Sequence, residues 1–195
     1  MGEADNRDLL AETSSGEAKH CARYGKQRNR FMTQTIVVPI LALVTLTTSV
    51  AGENRLTSPT AVLAKEHKLI EKVAGATIQV AADMKETGDV PIGRVRKIHD
   101  FFVNFADACH HAKEERELFP LLRVQDVDPV ILDVLVTQHE EGRILLAGVK
   151  EQVEKPQPNA AVLARYLAEY GQLMQRHIAI EDEYLLPKAK ASLST

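Results

Sequence analysis

Tryptophan is absent from this chain of 195 residues, and aromatic residues make up only 5% of it. The hydrophobic residues, 45% of the total, are therefore mostly aliphatic, and they are numerous enough for a packed core. Runs of β-branched residues are confined to one stretch, whereas Ala, Leu, Glu, Lys and Gln are abundant. This composition favours an all-helical domain.

Cysteine is also scarce, because Cys21 and Cys109 are the two cysteines of the chain. They are too few for a disulfide framework or for a zinc site built from cysteines. The formal net charge is -3, and no basic stripe follows residue 58. Nothing in the charge pattern therefore predicts a nucleic-acid partner.

The chain before residue 58 differs in character from the rest. Residues 1–30 are polar and of mixed charge, and they are predicted to form a disordered tail. Residues 31–52 form a hydrophobic segment that follows basic residues and ends on the small residues Ser49 and Ala51, as a signal peptide does. The alternatives are an uncleaved membrane anchor over residues 31–51, which a proline and several threonines disfavour, or neither. A signal peptide would place the protein in the periplasm or outside the cell, and otherwise it is expected in the cytoplasm. A membrane partner is expected only for the anchor.

From residue 58 onward, capping residues predict four helices with short connections. Ser58-Pro59 marks the start of the first helix, Gly88 ends it, and Asp128-Pro129 starts the third. The predicted spans are about 58–87, 89–120, 129–154 and 159–186. Helices of this length pack most simply as an antiparallel up-down bundle. Residues 58–190 are therefore predicted to be one all-α, four-helix domain.

Histidines are the most informative residues of this domain. His110 is followed four residues later by Glu114, and His177 is followed four residues later by Glu181. Residues four apart lie above one another on an α-helix, so each pair places an imidazole beside a carboxylate. Such a pair suits two ligands of one metal ion or of a metal pair.

The adjacent residues His110 and His111 cannot both face the core from a regular α-helix. The positions four and seven residues before His110 are apolar, whereas those before His111 are polar. His110 and Glu114 are therefore predicted to face inward, and His111 and Glu115 outward. Replacing His110 should then abolish metal binding, and replacing His111 should leave most of it. The same test directs one histidine of each other helix inward; these are His67, His139 and His177.

Four inward histidines and two inward glutamates have no simple structural explanation in a small bundle. A buried carboxylate without a partner carries a large desolvation cost, and two glutamates could pair with only two of the four histidines. A metal cluster satisfies all six side chains. The predicted metal ligands are His67, His110, Glu114, His139, His177 and Glu181. Nitrogen and carboxylate ligands favour iron or manganese, with zinc as a competitor, and two facing helical hairpins favour a dinuclear centre.

These motifs resemble those of the bacterial hemerythrin-like (HHE cation-binding) domain proteins over about residues 58–190. The residues that carry the resemblance are Glu66-His67, Phe105, Cys109 to Glu115, Leu118-Phe119-Pro120, Gln138 to Arg143, and His177 with Glu181. The resemblance implies a four-helix bundle that holds two non-haem iron ions. It also implies a role in binding oxygen, in sensing oxygen or iron, or in handling nitric oxide and peroxide.

The chain departs from oxygen-carrying hemerythrins, which have five histidine and two carboxylate ligands. Where their third helix offers a second histidine, this chain has Arg143. One coordination position is therefore expected to be open or filled differently, with Glu140, Tyr166 and Tyr170 as candidates.

The last carboxylate is a second point of difference, because oxygen-carrying hemerythrins have an aspartate at the position of Asp182. Glu181 fits α-helical spacing better, whereas a local helix bulge would favour Asp182. The further candidate ligands are Glu140, Asp182 and His111.

The predicted function is that of a di-iron protein that binds or senses oxygen, nitric oxide, peroxide or iron. The alternative is a di-iron peroxidase or oxidase in oxidative or nitrosative defence. An open coordination position permits either one, whereas the lost histidine disfavours reversible oxygen carriage. The chain shows no nucleophile–base constellation, and no redox partner is identified.

Overall fold

The computed structural model describes residues 58–193. The predictions for residues 1–30 and 31–52 lie outside this range. The described residues form four long helices and no strand. No helix among them has the length and apolar character needed to span a membrane.

The helices α1 and α3 have the predicted boundaries. Helix α1 spans Pro59–Thr87. The Ser58 hydroxyl accepts a hydrogen bond from the Ala61 N–H at 3.2 Å, and Gly88 ends the helix with a φ of 76°, which suits glycine. Helix α3 spans Pro129–Glu154, and the Asp128 carboxylate accepts from the N–H of Ile131 at 3.3 Å.

The helices α2 and α4 contain π-helical turns, in which the backbone is wider than in an α-helix. Helix α2 is a continuous run of α-helix Ile92–Phe101, π-helix Phe102–His111 and Glu114–Leu118, and α-helix Phe119–Val124. Helix α4 consists of α-helix Ala160–Ile180, π-helix Glu181–Leu185 and α-helix Leu186–Leu193.

Both helices continue past their predicted ends and through a proline, Pro120 in α2 and Pro187 in α4. The prediction that α2 ends near Pro120 is wrong, and so is the end of α4 near Leu186. In α2 the N–H of Phe119 bonds the carbonyl of Glu114, five residues back, and closes the π-helical turn. Pro120 then lies in the first turn of a new α-helical segment, where its missing N–H is tolerated. The N–H of Leu186 likewise bonds the carbonyl of Glu181 just before Pro187.

Neighbouring helices run in opposite directions. His67 of α1 lies beside Glu181 of α4, while Ala74, further along α1, lies beside the earlier residue Gly171 of α4.

Helices α3 and α4 also contact each other in reversed order along the chain. Between α3 and α4, His139 lies beside His177 and Gly148 beside Tyr166.

Helices α2 and α3 also make contacts in reversed order. Arg96 donates to the Val153 carbonyl at 3.2 Å, and Arg143 donates to the Asp107 carboxylate at 2.9 Å.

The apolar core is divided into two clusters. The larger cluster includes Ile70 and Leu146, and the smaller one includes Leu63 and Leu135. On α1, His67 lies between the residues that belong to the two clusters, and His139 does so on α3. A layer of buried polar side chains thus separates two apolar layers.

Helices α1 and α4 approach each other closely at Gly171. A Cβ atom at this position would lie 2.7 Å from Cγ1 of Ile78 and 3.0 Å from the backbone oxygen of Ala74. The backbone oxygen cannot rotate away as a side chain can. Glycine is therefore required for the observed separation of the two helices.

We expect Gly171→Ala to lower the free energy of unfolding by about 1–3 kcal/mol, because the added methyl group overpacks the α1–α4 contact. Gly75→Ala is the matched control, since nothing lies within 4 Å of a Cβ atom there. That variant should be neutral or more stable by about 0.5–1 kcal/mol, as expected for alanine inside a helix. Urea unfolding of the metal-free proteins measures both values, and equal stabilities would contradict the packing argument.

Candidate metal centre

Seven polar side chains meet between the two apolar clusters, and each is at most 3% exposed. One comes from α1, three from α2, one from α3 and two from α4. They are His67, His110, His111, Glu114, His139, His177 and Glu181. The six ligands predicted from the sequence all lie in this cluster, together with one residue that was predicted to lie outside it.

The cluster divides into two groups of four residues, in each of which the possible ligand atoms lie within 4.8 Å of one another. The first group is His67, His110, Glu114 and Glu181. The second group is His111, Glu114, His139 and His177. Because Glu114 belongs to both groups, its carboxylate lies between two potential cation positions.

Glu114 presents a different oxygen to each group. Its Oε1 lies 3.1 Å from Nε2 of His110 and 3.8 Å from Nε2 of His67. Its Oε2 lies 3.5 Å from Nε2 of His139. Glu114 therefore offers one carboxylate oxygen to each group.

Glu181 also lies between the two groups. Its Oε2 is 3.1 Å from Nε2 of His67 in the first group and 3.2 Å from Nε2 of His177 in the second. The two carboxylates thus separate the histidines of the first group from those of the second.

Several atoms of the cluster are buried but make no hydrogen bond within residues 58–193. They are Nε2 of His67 and His110, Nδ1 of His111, and both carboxylate oxygens of Glu114 and Glu181. Leaving so many polar atoms without partners in a dry interior is costly. A cation bound by these imidazoles and carboxylates would satisfy all of these atoms except Nδ1 of His111, which lies 3.7 Å from Asp107. The residues present therefore fit a metal site.

Four of the five histidines have an acceptor for the ring nitrogen that faces away from the cluster. The pairs are His67 Nδ1 with Asp182 at 2.6 Å, His110 Nδ1 with Glu66 at 2.9 Å, His139 Nδ1 with Glu115 at 2.8 Å, and His177 Nδ1 with Gln138 at 3.0 Å. An acceptor at Nδ1 favours the tautomer that leaves Nε2 free for a cation and holds the ring in place. The four rings are therefore oriented as metal ligands are.

The outward orientation predicted for His111 is wrong. His111 is 3% exposed, and its ring stacks on that of His139 with centroids 3.9 Å apart and planes 17° apart. It ends the π-helical stretch of α2, where the wider turn brings both His110 and His111 to the inner side. A helix with 3.6 residues per turn would not place both adjacent histidines on the inner side.

Glu115 was also predicted to face solvent, but its side chain is only 28% exposed and is hydrogen-bonded to His139. The adjacent pair His110-His111 was the one sequence signal that both histidines could belong to the site. The spacing of a regular α-helix directs only one of two adjacent side chains inward, so it could not identify His111.

The remaining candidates belong to neither group. Asp182 is 35% exposed and acts as the acceptor for Nδ1 of His67, whereas its neighbour Glu181 enters the cluster. Glu140 is 65% exposed and pairs with Arg143.

The two tyrosines that were considered for an open position also lie outside both groups. Tyr170 is buried with its ring 4.5 Å from that of Phe102, and Tyr166 packs against Gly148.

The electrostatics of the first group favour charged side chains. Burial opposes protonation of His67, but Glu114, Glu181 and Asp182 outweigh it and raise the pKa of His67 to about 11. For His110, burial is likewise outweighed by Glu114 and Glu66, so its pKa rises to about 9.

The two glutamates are correspondingly ionised. Burial opposes ionisation of Glu114, yet His110 and His67 hold its pKa well below the ordinary value. Burial and the charge of Glu114 act in the same direction on Glu181, but His177 and His67 lower its pKa to about 2.

Two imidazoles of the second group, those of His139 and His111, favour the neutral form. Burial and the neighbours His111 and His177 lower the pKa of His139 to about 2. Burial also lowers the pKa of His111. Without a cation, positive charge thus gathers on the histidines of the first group, beside the two carboxylates.

Comparison with known proteins agrees with this site. Residues 58–189 match the model of the hemerythrin HHE cation binding domain family. The match covers more than half of the chain, so the chain belongs to this family and is a cation-binding protein, as the resemblance predicted.

The chain is also similar to uncharacterized proteins of Mycobacterium tuberculosis and Mycobacterium bovis. Each is 25% identical over 136 residues, which cover 68% of this chain and 53% of the relative. The chain thus spans about half the length of the curated relatives it matches. No solved structure matches the chain.

Binding of a divalent cation to the first group should release protons at pH 7. The raised pKa values of His67 and His110 mean that both imidazoles carry a proton that the cation must displace. We therefore expect affinity for zinc to fall as the pH is lowered from 8 to 6, by about tenfold per pH unit for each proton displaced. Calorimetric titration in two buffers with different ionisation enthalpies counts the protons, and a pH-independent affinity without proton release would contradict this electrostatic picture.

Proposed function

We propose that the protein holds two non-haem iron ions in an antiparallel up-down bundle of the hemerythrin type. The first group would bind one ion and the second group the other, with Glu114 and Glu181 between them. The shared position of Glu114, whose two oxygens face different groups, is the observation that carries this proposal. Imidazole and carboxylate donors suit iron; manganese and zinc are the competing occupants.

The ligand set contains five histidines and two carboxylates, the numbers expected from the oxygen-carrying members of the family. The third helix contributes His139 alone, because Arg143 stands at the position of its second histidine. His111 of α2 supplies the fifth imidazole instead. On this proposal, His111 fills the coordination position that was expected to be open because Arg143 replaces a histidine.

The proposed role is to bind or sense a small ligand such as oxygen, nitric oxide or peroxide, or to sense iron. Bound iron would supply ligand binding and one-electron redox chemistry. The protein's own contribution is a buried site between two apolar layers, which limits access of water, and a set of acceptors that hold four of the five histidines in one orientation. Peroxidase or oxidase activity is the alternative use of the same ions.

Iron analysis tests the dinuclear proposal. After anaerobic reconstitution with iron(II), the wild-type protein should contain about two ions per chain. His110→Ala and His111→Ala should each lose at least one ion, because each variant removes a donor from a different group. His99→Ala is the control, since His99 lies on α2 outside both groups. Retention of both ions by His111→Ala would exclude it as a ligand, and a wild-type ratio well below two would contradict the dinuclear model.

Rapid mixing with peroxide or nitric oxide separates a binding protein from an enzyme. We expect a saturable change in the visible spectrum with at most about one equivalent of ligand per centre, because two ions held by groups with Glu114 and Glu181 between them would act as one unit. Stopped-flow absorption measures this stoichiometry. The metal-free protein is the control. Repeated consumption of peroxide over many equivalents would show that the alternative, a peroxidase, is correct.

A further inference from the structure

Arg143 joins three carboxylates at the boundary between α2 and α3. Its Nε donates to Asp107 at 2.9 Å, its Nη2 to Glu115 at 2.7 Å and its Nη1 to Glu140 at 2.7 Å. The Arg143 side chain is 31% exposed. A planar guanidinium with fixed donor directions can hold several carboxylates in a defined relation, which a lysine cannot.

Two of these carboxylates also face histidines of the second group. Oε1 of Glu115 accepts from both Arg143 and Nδ1 of His139, the latter at 2.8 Å. Oδ1 of Asp107, which accepts from Arg143, lies 3.7 Å from Nδ1 of His111. Arg143 therefore contacts the same oxygen atoms that face the outer nitrogens of two candidate ligands.

The outer hydrogen bonds of the first group do not involve Arg143. His67 pairs with Asp182, and His110 pairs with Oε2 of Glu66, whose other oxygen is held by Lys113. No described contact joins Arg143 to any of these residues. An effect of Arg143 should for this reason be confined to one of the two ion positions.

We propose that Arg143 is a positioning residue for the second group: it holds Glu115 against Nδ1 of His139 and keeps Asp107 beside Nδ1 of His111, and so orients both rings toward the ion. This role rests on the proposed dinuclear centre. It assigns a function to the arginine that stands where the third helix of oxygen carriers has a histidine.

Cobalt(II) titration of the full-length protein tests the proposal, because the visible spectrum reports the coordination of each ion and the heat reports its affinity. In Arg143→Gln, one of two cobalt ions should bind about 10- to 100-fold more weakly, with an altered spectrum, while the other is unchanged. Arg143→Lys should recover only part of the loss, because one ammonium group cannot hold both carboxylates in the same geometry.

Arg123→Gln is the matched control. Arg123 also links α2 to α3, through Asp133 at 2.6 Å, but contacts no histidine, so this variant should bind both ions as the wild type does. Wild-type behaviour of Arg143→Gln, or equal weakening of both ions, would overturn the positioning role. Binding of fewer than two cobalt ions by the wild-type protein would instead overturn the dinuclear centre, and the role of Arg143 with it.

Discussion

The structure depends on the burial of five imidazoles and two carboxylates at one level of the bundle. Such groups are costly in an apolar interior unless they are paired, and the outer hydrogen bonds account for only one nitrogen of each of four rings. Nε2 of His67 and His110 and the carboxylate oxygens of Glu114 and Glu181 point to the centre and make no hydrogen bond among the described residues. A cation is the simplest group that resolves this conflict. The two apolar clusters on either side stabilise the helices and keep the polar layer apart from water.

The π-helical turns of α2 and α4 decide which residues reach this layer. A regular α-helix could direct His110 inward but would leave its neighbour His111 on the other side. The wider turn places both rings inside, and the π-helical segment that follows begins at the buried Glu114. In α4 the corresponding segment begins at Glu181, the other buried carboxylate. Short π-helical segments are frequent at functional sites, and here they contain candidate ligands of both α2 and α4.

The surroundings of the centre are asymmetric. The histidines of the first group are hydrogen-bonded to Asp182 and Glu66, whereas His139 and His111 of the second group lie near carboxylates held by Arg143. Because the outer partners set the orientation and basicity of metal ligands, the two groups of candidate ligands are not equivalent even though both contain Glu114. The asymmetry follows from residues that lie outside both groups of candidate ligands.

Most of the fold was determined by the sequence itself. The caps at Ser58 and Asp128 locate helices α1 and α3, and spacings of four residues identify the pairs that carry His110 and His177, because capping and α-helical periodicity are local properties of the chain. Family membership could also be recognised from these motifs. The inward position of His111 and the continuation of α2 past Pro120 were decided by the tertiary structure. Both depend on π-helical turns, whose cost must be met by contacts with other helices, such as the stacking of His111 on His139, and no local pattern records such contacts.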